Sequence, residues 1–210
     1  MSKYLKIKKY LKIKKLGNVF SFLNCSVYNS ENIRVYEIKE VNISFFRRVF
    51  HFFTLRAGFS IEITIKDLLN NKLYLLKRDK PQVLNFNYFI QDMIGNKLFY
   101  FKNRRLGFSF PFNFSVTTEI RDSYNRVIGI YKTNNIFVLG KQEGNIVDIN
   151  NNQEICNFVW NLVTFPLGSI FHLGGKECYI YINENYINDE IYELLSIVVA
   201  ILKLLYFEQR

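Results

Sequence analysis

Three segments of the chain repeat one pattern: Ile-x-Asp, a short polar turn, then an apolar run that closes on Lys. They are Ile65-Lys66-Asp67 to Lys77, Ile90-Gln91-Asp92 to Lys102 and Ile120-Arg121-Asp122 to Lys132, with Asp and Lys ten positions apart each time. The turns carry Asn70-Asn71, Gly95-Asn96 and Asn125-Arg126. Asn and Gly tolerate the left-handed backbone that a tight hairpin needs, and an Asp at the mouth of the turn accepts hydrogen bonds from amides two or three residues on. One hairpin recurring every 25 to 30 residues or so describes an architecture and not a reaction. A lone hairpin cannot bury its apolar face, so several of them must share a core, and closing the sheet on itself removes its edges.

The rest of the chain agrees with strands. Aromatic residues make up 17% of the sequence, most of them Phe and Tyr, which suit a pleated surface. Short apolar runs divided by Asn, Asp or Gly predict strands at 19–28, 33–39, 43–53, 59–66, 72–78, 84–91, 97–102, 109–121, 127–132, 136–140, 154–163, 169–173 and 177–182. Gly174-Gly175 is a hairpin signal between the last two. Gly140 and Gly144, around Lys141-Gln142-Glu143, read as an ordinary polar turn. Pro81, Pro111 and Pro166 fall at run boundaries, where strands tolerate them. No Ser- or Pro-rich linker divides the chain, so residues 1–210 are expected to form one domain. Residues 1–18 are its basic N-terminal strand or arm. Within them a hexapeptide, Lys-Tyr-Leu-Lys-Ile-Lys, stands twice in succession, and its alternation predicts one or two edge strands with a Lys face.

The C-terminus breaks the pattern. Asn188-Asp189-Glu190 can cap a helix, and residues 191–207 are apolar almost all round. Asp189, Glu193, Ser196, Ala200 and Lys203 form one narrow polar or small stripe. The uninterrupted apolar portion, about 14 residues, is shorter than the roughly 20 that cross a bilayer. A helix over 188–207 at the centre of a closed antiparallel barrel of about 12 strands is therefore the expected fold, mainly β in class. Val199 and Leu202 are expected in its core.

This arrangement resembles the tubby C-terminal-like superfamily, which includes tubby proteins, plant LURP-one-related proteins, phospholipid scramblases and small bacterial relatives. The likeness rests on Phe89-Ile90-Gln91-Asp92-Met93-Ile94-Gly95-Asn96-Lys97-Leu98, on Glu119-Ile120-Arg121-Asp122-Ser123-Tyr124-Asn125-Arg126-Val127-Ile128-Gly129 and on the terminal helix. It covers residues 59–207 in hairpin rhythm and 19–58 loosely. What it implies is a closed barrel threaded by a hydrophobic C-terminal helix and no catalysis. The acidic Ca²⁺-binding cluster and palmitoylated Cys run of scramblases are not found, and no binding residue is carried over from the family.

Catalytic chemistry has little to work with. The two histidines, His51 and His172, stand in strand-like runs without an evident carboxylate partner, and no Gly-x-Ser-x-Gly elbow or phosphate loop is present. Cys156, His172 and Cys178 match no zinc spacing, and Trp160 sits in an apolar run that reads as core. No catalytic residue, metal ligand or cofactor is assigned. Three widely spaced cysteines, Cys25, Cys156 and Cys178, suit a reducing compartment. Residues 16–30 lack the apolar stretch of a secretory signal, so the expected location is the cytoplasm, at the periphery of a membrane.

Charge is the remaining lead. The net charge is +10 and the isoelectric point about 9.4, which invites an anionic partner. The candidate lipid- or anion-binding residues are Lys3, Lys6, Lys8, Lys9, Lys12, Lys14 and Lys15, then Arg47 and Arg48, Lys77 and Arg78, and Lys102, Arg104 and Arg105. The first group holds seven Lys and no acid, with Tyr4 and Tyr10 interleaved. The partner expected is an anionic phospholipid or phosphoinositide surface, ahead of nucleic acid, for which no recognised motif is present. A scramblase-like membrane protein, a nucleic-acid binder and a structural or protein-interaction module stand as alternatives of different class.

Overall fold

The computed structural model describes residues 7–16, 23–41, 61–78, 87–109, 113–133, 140–162, 177–187 and 189–208. Twelve strands follow one another: β1 (Ile7–Leu16), β2 (Asn24–Tyr28), β3 (Arg34–Glu40), β4 (Ile61–Asp67), β5 (Leu73–Arg78), β6 (Asn87–Asp92), β7 (Lys97–Ser109), β8 (Asn113–Asp122), β9 (Val127–Thr133), β10 (Gly140–Asp148), β11 (Glu154–Leu162) and β12 (Glu177–Asn183). Each pairs antiparallel with its neighbours in sequence, and β1 closes the ring on β12. A 3-10 turn at Glu184–Tyr186 leads into the helix α1 (Glu190–Glu208).

Alternation along each strand separates lumen from surface. On β1, Leu11 and Ile13 are buried, while Tyr10, Lys12 and Lys14 face outward. On β12, Cys178, Ile180 and Ile182 are buried between the outward Glu177, Tyr179 and Tyr181. Inward residues of all twelve strands form one cluster with the helix. Every residue of α1 from Glu193 to Leu202 is buried, so no face of the helix meets solvent over that span. An apolar lumen inside a charged outer face is the reverse of a water-filled membrane barrel. No helix among the described residues is long and apolar enough to cross a membrane.

Of the helix stripe that reads as polar in sequence, Asp189 is exposed, whereas Glu193, Ser196 and Ala200 are buried, and the first two of these find partners inside. The Glu193 carboxylate lies against the Tyr36 hydroxyl on β3, where burial and this negative neighbour both raise the Tyr36 pKa. The Ser196 hydroxyl donates to the Tyr192 carbonyl at 2.7 Å and lies 3.1 Å from the Cys156 sulfur. All three cysteines are buried and none forms a disulfide. Burial pushes the Cys156 thiol up to about 12 and holds Cys178 well above the usual thiol range, so neither is a thiolate at neutral pH. Trp160 is in the core, stacked on Phe158 at 5.2 Å, with Tyr131 edge-on to both.

Four readings from sequence need correction. First, the N-terminal segment is no edge: β1 is paired on both sides and closes the barrel, so its Lys face is one side of an internal strand. Second, Gly140 to Gly144 is no turn. It begins β10, which runs to Asp148; residues 136–139 of the expected strand 136–140 lie outside the described residues. Gly144 is required there because a Cβ would lie 3.1 Å from the Tyr131 ring, 3.2 Å from the Trp160 ring and 3.0 Å from the Lys132 carbonyl. The sequence could not show those rings converging. Third, β7 continues to Ser109, past the expected end at 102, and meets β8 through a bulge between Asn103 and Arg105. Fourth, Arg78 is buried, 2% exposed, with its guanidinium over the Tyr88 ring, because its position on β5 shares the inward parity of Leu76. The expected strands 43–53 and 169–173, the Gly174-Gly175 turn and both histidines lie outside the described residues.

The enclosed helix carries a direct consequence. Val199→Asp would place an uncompensated charge in the lumen, at a cost of about 4 kcal/mol or more. We expect the variant to lose soluble folded protein, read as soluble yield and as loss of the thermal transition. Soluble protein with an unchanged melting temperature would contradict an enclosed helix.

Candidate functional site

Hairpins β2–β3, β4–β5, β6–β7, β8–β9 and β10–β11 all turn at one end of the barrel, the end where α1 begins. The three Asp of the repeat hold their turns as the spacing implies. The Asp67 Oδ1 accepts the amides of Leu69 and Asn70 at 2.8 and 3.0 Å. The Asp92 Oδ1 accepts those of Ile94 and Asn96 at 2.9 and 2.8 Å. The Asp122 Oδ1 accepts those of Tyr124 and Arg126, both at 2.9 Å.

Two further hairpins share the device and escaped the sequence reading. Ile146-Val147-Asp148 repeats the same tripeptide, and the Asp148 Oδ1 accepts the Asn150 amide at 2.8 Å. It was missed because no Lys follows ten residues later. In β2–β3, Asn29 replaces Asp, and its Oδ1 accepts the amides of Glu31 and Ile33 at 3.0 and 2.9 Å. Each loop ends on one left-handed residue: Asn32, Asn71, Gly95, Asn125 or Asn152. The three shorter loops close a turn from the anchor's carbonyl and then bulge at that residue.

The same end clasps the helix. The Tyr186 hydroxyl donates to Asp148 Oδ2 at 3.1 Å and accepts from Asn151 Nδ2 at 2.9 Å. Lys72 forms an ion pair with Glu190, and Asp189 caps the helix through the Ile191 amide at 2.9 Å.

Of the predicted binding residues, the side chains of five are described, Lys12, Lys14, Lys77, Arg78 and Lys102, and these five lie on three different strands. Lys12 pairs with Glu177 at 2.9 Å and lies over Tyr179, and Lys14 lies over Tyr28. The Glu177 hydrogen bond holds the Lys12 ammonium above its ordinary pKa against the opposing cost of burial. These two lysines thus belong to a Lys/Tyr face in which Tyr10 packs against Tyr179 and Tyr181. Lys77 faces outward and pairs with Glu62 at 2.8 Å. Lys102 is exposed, whereas Arg78 is inside. Lys8, Lys9 and Lys15 lie on β1, and Arg104 and Arg105 on β7, with side chains outside the described part. Lys3, Lys6, Arg47 and Arg48 lie outside the described residues.

What the structure does bring together is a charge partition around the ring. Among the residues whose side chains are described, the exposed cations are Arg34, Lys39, Lys66, Lys72, Lys97, Lys102, Arg126 and Lys132, all on β3 to β9 or their hairpins. The exposed carboxylates are Glu31 in the β2–β3 hairpin, Glu143 and Glu154 on β10 and β11, and Asp189 and Glu190 at the start of α1. The side from β3 to β9 is electropositive, and exposed acids gather at β10, β11 and the helix start. The signal stood in the sequence: residues 1–139 hold 24 Lys and Arg against nine acids, and residues 140–210 hold four against nine. Reading basic clusters one at a time concealed it.

No protein-family model matches the chain, and neither does any curated protein or solved structure.

The anchors make stability depend on pH. The Asn96 side chain, with the loop amides, holds the Asp92 carboxyl below the ordinary Asp pKa. Burial opposes the same shift at Asp122, but the Arg126 amide and guanidinium outweigh it. A depressed carboxyl contributes stability above its unfolded pKa and loses it as pH falls through the folded value. We expect the melting temperature to hold steady above about pH 4 and to fall below it. Asp92→Asn with Asp122→Asn should lower it at neutral pH and flatten the acid slope. An unchanged acid slope in the double variant would show that these carboxylates do not anchor the turns.

Proposed function

We propose that this protein is a non-catalytic, tubby-like barrel that docks peripherally on anionic phospholipid membrane. The observation that carries the reading is the electropositive side formed by β3 to β9, where the exposed cations among the described side chains lie. The buried helix supports it: a lumen filled by α1 leaves the outer surface to do the binding. A closed barrel around a C-terminal helix is also the architecture that the tubby-like resemblance implies. In this reading the protein is cytoplasmic, with three reduced thiols, and meets an acidic leaflet from that side. The Lys-rich β1 and the residues before it add to the attraction.

Electrostatic docking has a quantitative form. A Lys close to an acidic leaflet contributes about 1 kcal/mol, and the interaction decays over a Debye length of about 8–10 Å at moderate salt. Flotation with phosphatidylcholine vesicles, with and without phosphatidylserine, tests this. We expect binding only with the anionic lipid and weakening as salt rises. Lys66→Gln, Lys97→Gln and Lys102→Gln together should reduce it about a hundredfold by the same per-residue value. Glu143→Gln with Glu154→Gln should not reduce it. Lys12→Gln with Lys14→Gln measures the share of β1 without removing a strand that closes the barrel, as truncation would. No binding to anionic vesicles, with salt-dependent binding to RNA or DNA, would replace the lipid reading with a nucleic-acid one.

A further inference from the structure

The repeat that sets the architecture also sets what stands at its tips. Two residues after each anchor, the chain's amide is turned inward to the anchor's side-chain oxygen, and the side chain of that same residue points away from the barrel. In β4–β5, β6–β7 and β8–β9 this position holds Leu69, Ile94 and Tyr124, which are 69%, 89% and 79% exposed. In β2–β3 and β10–β11 the same position holds Glu31 and Asn150. The three apolar tips are consecutive around the ring and stand on its electropositive side. Met93, beside Ile94, is 65% exposed as well.

We infer that these three consecutive tips form a membrane-penetrating arc, in which Leu69, Ile94 and Tyr124 enter the interfacial layer of an anionic bilayer. The inference rests on the docking reading above and gives it an orientation: the barrel approaches with its hairpin end, tilted onto the β4 to β9 side. Charge complementarity selects lipid as the occupant. Exposed Lys66 and Lys97 stand on the strands beside the tips, Lys72 pairs with Glu190 and Arg126 with Asp122, and the Oδ1 atoms of Asp67, Asp92 and Asp122 are occupied by their own loop amides. Arg126 lies over the Tyr124 ring at 5.2 Å, and Lys97 lies over Phe89 at 4.6 Å. Cations seated on aromatic rings beside an apolar tip suit the depth where headgroups meet acyl chains. The tips are preorganised, since each is pinned by its anchor before any contact, so little conformational freedom is lost on insertion. Large apolar side chains at turn positions that normally carry Gly, Asn or Asp have no folding role at that exposure.

The single tryptophan, Trp160, is fully buried in the lumen, so an added one at a tip reports alone on a change of surroundings. Ile94→Trp should shift its emission to the blue on phosphatidylserine-containing vesicles and be quenched by brominated lipid, whereas Ile149→Trp, on the acidic side, should do neither. The triple variant Leu69→Ser, Ile94→Ser and Tyr124→Ser should keep the wild-type melting transition and lose vesicle binding by about tenfold or more, the loss falling on the component that survives high salt. If the wild type binds anionic vesicles while the triple variant binds equally well and the Ile94→Trp emission stays unshifted, the arc is refuted and docking by charge alone stands. If the wild type binds no vesicle, both readings fall together. A change in the solution mass of the triple variant would make the arc an interface between copies of this chain and overturn its assignment to lipid.

Discussion

Enclosure of α1 by the sheet is the constraint on which the rest depends. A helix apolar on every side has no stable exposed state, and a ring of twelve strands closed without filling would surround a void. Each solves the other's problem. Fully burying a Leu, Ile or Val side chain contributes about 1.5–3 kcal/mol relative to exposure, and Leu194 to Leu202 contains seven such residues, interrupted only by the small Ser196 and Ala200. The two polar groups of the buried helix are partnered: Glu193 with Tyr36, and Ser196 with its own helix. Where bulk accumulates, as at Trp160, Phe158 and Tyr131, the facing strand contributes Gly144, which has no side chain to displace them.

Because the lumen is filled, the hairpin end does two jobs. It fastens the helix through Asp148, Asn151 and Tyr186 on one side and through Lys72 and Glu190 on another. It also presents five turns of one construction, whose anchors spend their carboxylate or amide oxygen on local backbone. An anchored turn is rigid, and a rigid turn can hold an apolar side chain in water without burying it. The repeat therefore separates the groups that stabilise the turn from the groups that face outward, and it leaves the latter free to vary. Two residues after the anchor they are apolar in β4–β5, β6–β7 and β8–β9 and polar in β2–β3 and β10–β11.

Charge follows the chain more closely than the surface suggests. In an up-and-down barrel, sequence order is angular order, so a drift in composition along the chain becomes a difference between two sides of the molecule. The described part of the Lys and Arg excess before residue 140 puts exposed cations on β3 to β9, whereas the exposed acids after it lie on β10 and β11 and at the start of the helix. The Lys-rich N-terminus takes part differently from its isolated appearance. It closes the ring, and the described lysines on it, Lys12 and Lys14, sit over tyrosines of the adjoining strands.

Local chemistry was enough to specify the hairpins, the closed barrel and the central helix. Asp-to-amide turns, alternation along strands and an all-round apolar helix each act within a few residues, so Asp67, Asp92, Asp122, Trp160 and Val199 were legible in place. Three things were not. Whether Lys3 to Lys15 formed an edge depended on β12, more than 160 residues away in sequence. The side on which Arg78 fell depended on the pairing register of β5, which an isolated basic cluster does not express. The joining of Leu69, Ile94 and Tyr124 into one arc required three separate turns to lie side by side. Periodicity and turn chemistry are properties of short segments and survive in the sequence. Closure, register and adjacency are relations between distant segments, and they exist only once the ring has formed.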